Sequence, residues 1–191
     1  MAELIGDPRP NDDRAAARVE EWTKRVLSIQ DLPEDIATRG LGRHVIGQDE
    51  AVQAVSVLLR QHIRRLQVAI ENNVWTLPTP GIREARPTLL IGPSGSGKTL
   101  LVTQAAKIAG LPSAIHDLTA LTATGWVGMS AGDLISTLVT RSEGIFPISK
   151  WAVLGLDEID KTRAHDTVGV DVGGRGAQQS LLALVGGDQI E

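Results

Sequence analysis

The sequence predicts an α/β layer fold, a parallel sheet flanked by helices, and three observations carry that expectation. Short apolar runs alternate with helix-compatible stretches from residue 88 onward, as successive strand–helix units do. The run "WAVLGL", Trp151 to Leu156, is almost continuously apolar, as expected of a strand covered on both faces of a parallel sheet. Between an apolar run and a helical stretch lies "GPSGSGKT", Gly92 to Thr99, a strand–loop–helix order punctuated by glycine.

The elements follow in chain order. Pro8, Pro10 and the polar run Asn11 to Asp13 form a helix-starting edge, after which Val19, Trp22, Val26 and Ile29 recur on one helical face. Trp22 is therefore expected to be a packing residue. "DLPEDIATRGLGRHVIGQ" is interrupted by Pro33, Gly40, Gly42 and Gly47 and reads as a connector with one short helical turn. From Gln48 or Asp49 to about Glu71, the residues Val52, Val55, Leu59, Ile63, Leu66 and Ile70 form a narrow stripe opposite Glu50, Gln61, Arg64 and Arg65, the pattern of a one-sided surface helix. Pro78, Pro80 and Pro87 deny the backbone helical continuity and ladder donors, so Asn72 to Pro87 is expected as a long loop. Thr88 to Ile91 is the first expected strand, and Lys98 to Ala109 the helix after the glycine loop, stopped by Gly110 and Pro112. Ser113 to His116 is the second strand. Ser130 with Asp133 three residues on marks the start of another helix, and Trp151 to Leu156 is the third strand.

Composition excludes several function classes. A chain of 191 residues with 42% hydrophobic and 22% charged residues is globular and sized for one ordinary domain. Its net charge of −4 gives no support to a nucleic-acid surface. Zero cysteines exclude disulfides, thiolate catalysis and cysteine-ligated zinc. His44, His62, His116 and His165 show no metal-ligand spacing, so a metal is expected only if a ligand brings it. "MAELIGDPRPNDD" lacks a basic region followed by an apolar run, and no stretch approaches the roughly 18 apolar residues of a membrane helix. A cytoplasmic location is expected, with neither membrane nor nucleic acid as partner.

Chemistry concentrates at two places. Gly92 to Thr99 satisfies G-x-x-x-x-G-K-[ST]. Its glycines allow backbone N–H groups to turn inward around a phosphate, and the following helix presents free amides and a positive dipole end to the same anion. Ser94, Gly95, Ser96, Gly97, Lys98, Thr99 and Leu100 are the expected nucleotide contacts, with Lys98 reaching the β- and γ-phosphates and the Thr99 hydroxyl on Mg²⁺. The competing explanation, a chance glycine-rich turn, fits the strand–helix context poorly. In "WAVLGLDEIDK" an acidic pair ends an apolar strand, a costly placement unless it serves a cation or a reacting water. Asp157 is expected to hold Mg²⁺, through water, and Glu158 to orient or deprotonate the attacking water. Asp160 and Lys161 read as a solvated turn.

With their flanking segments these motifs resemble the AAA+ ATPases of the Clp/Hsp100 family, and within it the ClpX unfoldases, with HslU as near relative. "RHVIGQDEAVQAV" is similar to the family's segment before the nucleotide loop, "LLIGPSGSGKTLL" to its Walker A motif, and "LDEIDK" to its Walker B. The resemblance runs from about Leu32 to Gly187 and implies a P-loop NTPase large domain that is incomplete: residues 1–31 a helical extension, residues 32–191 a partial nucleotide-binding domain, and the small lid domain absent. It implies ATP or ADP with Mg²⁺ as cofactors, and Val45 and Ile46 lining the adenine. "GWVG", Gly125 to Gly128, stands where relatives carry the first pore loop, so Trp126 and Val127 are the implied substrate grip. An aromatic suits that task because its flat apolar body presses on many side chains. "TRAHDTVGVDVGGR", Thr162 to Arg175, occupies the second pore loop's position, and "RGAQQSLL" fits the ClpX branch. Implied partners are further copies in a ring, expected as a hexamer, an unfolded or tagged polypeptide, and a ClpP-like peptidase.

Two departures bear on this. Gly155 stands within the Walker B strand where relatives usually carry a bulky apolar residue, so that strand is expected to be weaker or more closely approached. The family's later strands, sensor residues and arginine finger find no match, and loss of such a finger costs roughly 10³-fold or more in rate. Two functions therefore stand side by side: an ATP-driven unfoldase module, or a nucleotide-binding fragment or regulatory module with little hydrolysis of its own. A DNA-directed ATPase is disfavoured, since Arg60, Arg64 and Arg65 are the main basic cluster.

Overall fold

The structure, a computed structural model, describes residues 13–73, 87–118 and 131–161. Helix α1 (Asp13–Ser28) buries Trp22 and Val26. Helix α2 (Pro33–Asp35) begins with proline at its first turn, where the missing N–H costs nothing. It continues as a π turn over Ile36–Gly40 and a 3-10 turn over Leu41–Arg43, so the connector is helical through Arg43 rather than for one turn. Gly42 permits this winding: a Cβ there would stand 2.5 Å from the Ala37 carbonyl oxygen. The buried Ile36, Ala37 and Leu41 hold the segment against the core.

Helix α3 (Asp49–Glu71) buries Val52, Leu59, Ile63 and Leu66 as its stripe requires, but also Ser56, Gln67 and Ala69. The buried face is broader than a narrow stripe, and its polar members are satisfied. Ser56 donates to the Val52 carbonyl at 2.7 Å. Gln67 Nε2 donates to the carbonyls of Val26 at 3.0 Å and Ile29 at 2.9 Å, so an α3 side chain helps to cap the end of α1. Helix α4 (Lys98–Ala109) follows the glycine loop. A single apolar cluster joins Trp22 and Val26 of α1, Leu41, the α3 face, Leu101, Ala105 and Ala109 of α4, and Ile145, Ile148 and Trp151. No helix among the described residues is long and apolar enough to cross a membrane.

Strand β1 (Ser113–Asp117) pairs in parallel with β2 (Val153–Asp157), from Ser113↔Val153 to Asp117↔Asp157. Between them lie α5 (Ala131–Arg141) and the short α6 (Phe146–Ser149). The third expected strand is shifted: Trp151 sits buried in the turn before it, 3% exposed. Every residue of β2 is only half-buried, so the expectation of a strand covered on both faces is not met. The first expected strand, Thr88 to Ile91, is corrected outright. Residues 87–93 form no strand, and Leu89 and Ile91 are 68% and 87% exposed. The sheet of the described residues holds β1 and β2 alone, and a segment with no neighbouring strand has no ladder to join.

Gly155 is closely approached, as its position in the strand implies. It lies in register with Ile115, and a Cβ there would stand 3.0 Å from Ile115 Cγ1. Gly155→Val is expected to destabilise the chain by about 1–3 kcal/mol through overpacking. Ile115→Ala should restore most of that loss in the double variant, measured by denaturant unfolding. Additive effects would show that the two side chains do not compete.

His62 of α3 donates Nε2–H to the Trp151 carbonyl at 3.0 Å, with the two rings tilted at 5.8 Å. Burial holds its pKa below the ordinary 6.5; the hydrogen bond opposes this shift and Arg65 adds to it. The unfolded chain therefore takes up the proton first. The stabilisation from neutral His62 is complete above about pH 6.5 and is lost as pH falls through the depressed folded-state value. Thermal midpoints should decline as pH falls below about 6.5, and His62→Gln, which keeps a donor, should flatten that decline. An identical slope in the variant would contradict this assignment.

Candidate functional site

The glycine loop takes the backbone shape that its sequence requires. Gly95 and Gly97 have φ of +76° and +89°, a left-handed region that favours glycine. Ser96 N–H donates to the Pro93 carbonyl at 3.3 Å, and a Cβ at Gly92 would meet Ser96 Oγ at 3.2 Å. The loop is tightly wound upon itself, yet nothing lies within 4 Å of a Cβ position at Gly95.

Helix α4 starts at Lys98 with Gly97 as its N-cap, no side-chain cap and no acidic residue in its first turn. Among the described residues its first amides have no intrahelical carbonyl and no side-chain cap, and no acidic residue of the helix's own first turn offsets the dipole. That is the donor set for an anion, and a nucleotide phosphate chain fits it. Lys98 Nζ donates to the carbonyls of Gly92 and Pro93, both at 2.9 Å, so the ammonium stays folded over the loop. Ser94 and Leu100 are exposed, Leu100 at 44%.

The two motifs meet directly. Thr99 Oγ1 donates to Asp157 Oδ2 at 2.6 Å across 58 residues of sequence. The other carboxylate oxygen of Asp157 accepts the Glu158 N–H at 2.9 Å. Glu158 is half-buried with φ of +58°, a conformation uncommon outside glycine that turns the chain sharply at the end of β2. The Thr99 hydroxyl and the Asp157 carboxylate thus meet at the first turn of α4, hard oxygen ligands of the kind Mg²⁺ takes, with Glu158 next in the chain.

The expected adenine contacts divide. Val45 is buried, 5% exposed, with its Cγ1 3.8 Å from a Cβ position on Gly97, whereas Ile46 is 86% exposed. Val45 lies behind the glycine loop, and Ile46 is open to solvent. Trp126, Val127 and the segment from Thr162 onward lie outside the described residues. Sequence reasoning missed the contact at the far end of α4, where Trp22 and Arg25 both reach the Gly110 carbonyl. Its only trace was the helical phase that puts Trp22 on the buried face.

Residues 88–191, more than half of the chain, match the family described as "ATPase family associated with various cellular activities (AAA)". The chain is 33% identical over 164 residues to "ATP-dependent Clp protease ATP-binding subunit ClpX 3" of Methylococcus capsulatus, covering 83% of this chain and 38% of that protein. It is 36% identical over 180 residues to the ClpX subunit of Azotobacter vinelandii, covering 90% and 41%. With "ClpX 2" of Wolinella succinogenes it shares 35% identity over 170 residues, covering 87% and 41%. The chain spans about two fifths of the length of these relatives. With a glycine loop, a helix N-terminus and an acidic strand end assembled in one place, this chain belongs to the AAA family of ATPases, and its likeness within that family is to ClpX.

Proposed function

We propose that the chain binds ATP with Mg²⁺ and serves as the nucleotide-binding module of a ClpX-like unfoldase, which couples hydrolysis to polypeptide translocation through a ring pore. The observation that carries the nucleotide site is the Thr99–Asp157 hydrogen bond of 2.6 Å at an uncapped helix N-terminus. In this reading Ser94 to Leu100 wrap the phosphates and Lys98 neutralises the β- and γ-phosphates. Thr99 and Asp157 hold the cation that screens the phosphate charge, Glu158 orients the attacking water, and Val45 with Ile46 receives the base. Trp126 and Val127 grip the polypeptide. A ring of further copies, a ClpP-like peptidase and a cytoplasmic setting complete the proposal, by likeness to the ClpX relatives.

A second reading is a nucleotide-binding module with little or no hydrolysis on its own. One feature favours it: the segment Thr88 to Ile91, which leads into the phosphate loop, has no strand partner among the described residues. Steady-state phosphate release above background from the purified chain would overturn this second reading.

The cation assignment has its own test. Wild-type chain should bind ATP more tightly with Mg²⁺ than with EDTA, and Thr99→Ala should erase most of that difference, about tenfold, by removing a direct ligand and a partner of Asp157. Titration calorimetry reads it. An undiminished Mg²⁺ dependence in Thr99→Ala would remove Thr99 from the metal site.

A further inference from the structure

We propose that Trp22 and Arg25 of α1 are positioning residues for the phosphate-binding helix, so that α1 sets nucleotide affinity from the far end of α4. The inference rests on the nucleotide reading of the site and adds a second control point to it.

Two donors from α1 converge on one acceptor. Trp22 Nε1 donates to the Gly110 carbonyl at 3.3 Å, and Arg25 Nη2 donates to the same oxygen at 2.8 Å. Gly110 is the left-handed C-cap of α4, with φ of +63°. Its N–H returns to the Lys107 carbonyl at 3.1 Å and the Leu111 N–H to the Ala106 carbonyl at 2.9 Å, the paired bonds of a Schellman ending. That ending satisfies carbonyls within the last turn but leaves the Gly110 oxygen to an outside partner. A cation at this end also complements the negative end of the helix dipole. The fit is close: a Cβ on Gly110 would stand 2.7 Å from Arg25 Nη2.

The small residues of α4 make this anchor matter. Its buried positions are Leu101, Ala105, Ala106 and Ala109, and alanine allows close approach while offering few atoms to resist sliding or rotation. At its N-terminal end α4 is held by the Thr99–Asp157 bond. At its C-terminal end it is held by α1, which is itself tied to α3 through Gln67. The helix is thus a rod of about 18 Å pinned at both ends, with the phosphate-binding amides at one and Trp22 and Arg25 at the other. A loosened far pin lets the near end tilt, and the alignment of Gly97 to Thr99 with an anion depends on that angle.

The test uses the 191-residue chain with Mg·ADP as the calorimetric probe, and follows thermal midpoint and amide hydrogen exchange without nucleotide. Arg25 is exposed, so Arg25→Met keeps the core intact. It should weaken Mg·ADP about three- to tenfold, with Arg25→Lys recovering part of the loss and Trp22→Phe giving a smaller effect of the same sign. Exchange should accelerate at residues 95–101 as well as at 109–111. An affinity within about twofold of wild type, with faster exchange confined to 109–111, would reduce the contact to a structural cap and overturn the proposal. If wild type itself fails to bind Mg·ADP, the nucleotide reading falls and this inference with it. If wild type binds and Lys98→Ala does not, while Arg25→Met matches wild type, only this inference falls.

Discussion

Lys98→Ala is expected to weaken ATP binding by about 100-fold, on the order of 3 kcal/mol. The side chain folds over the loop with Nζ on the Gly92 and Pro93 carbonyls. An ammonium has three donors, so a third remains for a phosphate oxygen while the first two fix its position. Against the loss of a charge-assisted contact stands a small effect on folding. Substitution removes two bonds to loop carbonyls, while the Ser96–Pro93 turn and the helix start at Gly97 persist. Stability should change by no more than about 1 kcal/mol, so the binding term dominates and is measurable on folded protein. Lys98→Arg should not rescue it, because a planar guanidinium is not interchangeable with a compact ammonium. Binding within about tenfold of wild type would mean that the phosphates lie elsewhere.

On the proposed unfoldase reading, Trp126→Ala is expected to abolish ATP-dependent unfolding of a tagged substrate while ATP hydrolysis persists. Truncating an aromatic anchor at a contact surface typically costs 2 kcal/mol or more, about 30-fold in affinity, and a translocating loop repeats that contact at every step. Trp126→Tyr should retain much of the activity, since the flat apolar body remains. Unimpaired unfolding by the alanine variant would dismiss the pore assignment without touching the nucleotide site, since the two readouts are independent.

Legibility differed by element. The helix after the glycine loop was legible to the residue, Lys98–Ala109, because a left-handed glycine marks each of its ends. The long helix Asp49–Glu71 was legible from its apolar phase. Its burial of Ser56 and Gln67 was not, since whether a polar side chain goes inside depends on an acceptor waiting there, here the Val52 carbonyl of the same helix for Ser56 and the end of α1 for Gln67. The connector misled because glycine and proline read as breakers. Gly42 in fact allows tight winding against the Ala37 carbonyl.

The sequence alone carries the chemistry proposed for the site. Lys98, Thr99, Asp157 and Glu158 are recognisable by residue type and spacing, because phosphate and cation binding demand particular donors and acceptors whatever surrounds them. It also determined where α4 begins and ends. Only the tertiary structure decided that Thr99 and Asp157 touch, that Val45 is buried behind the loop while Ile46 is open, and that Thr88 to Ile91 stays out of the sheet. It alone brought Trp22 and Arg25 onto Gly110. These outcomes share a physical reason: each depends on a partner far along the chain, and apolar or hydrogen-bonding potential written locally becomes a contact only when packing supplies that partner.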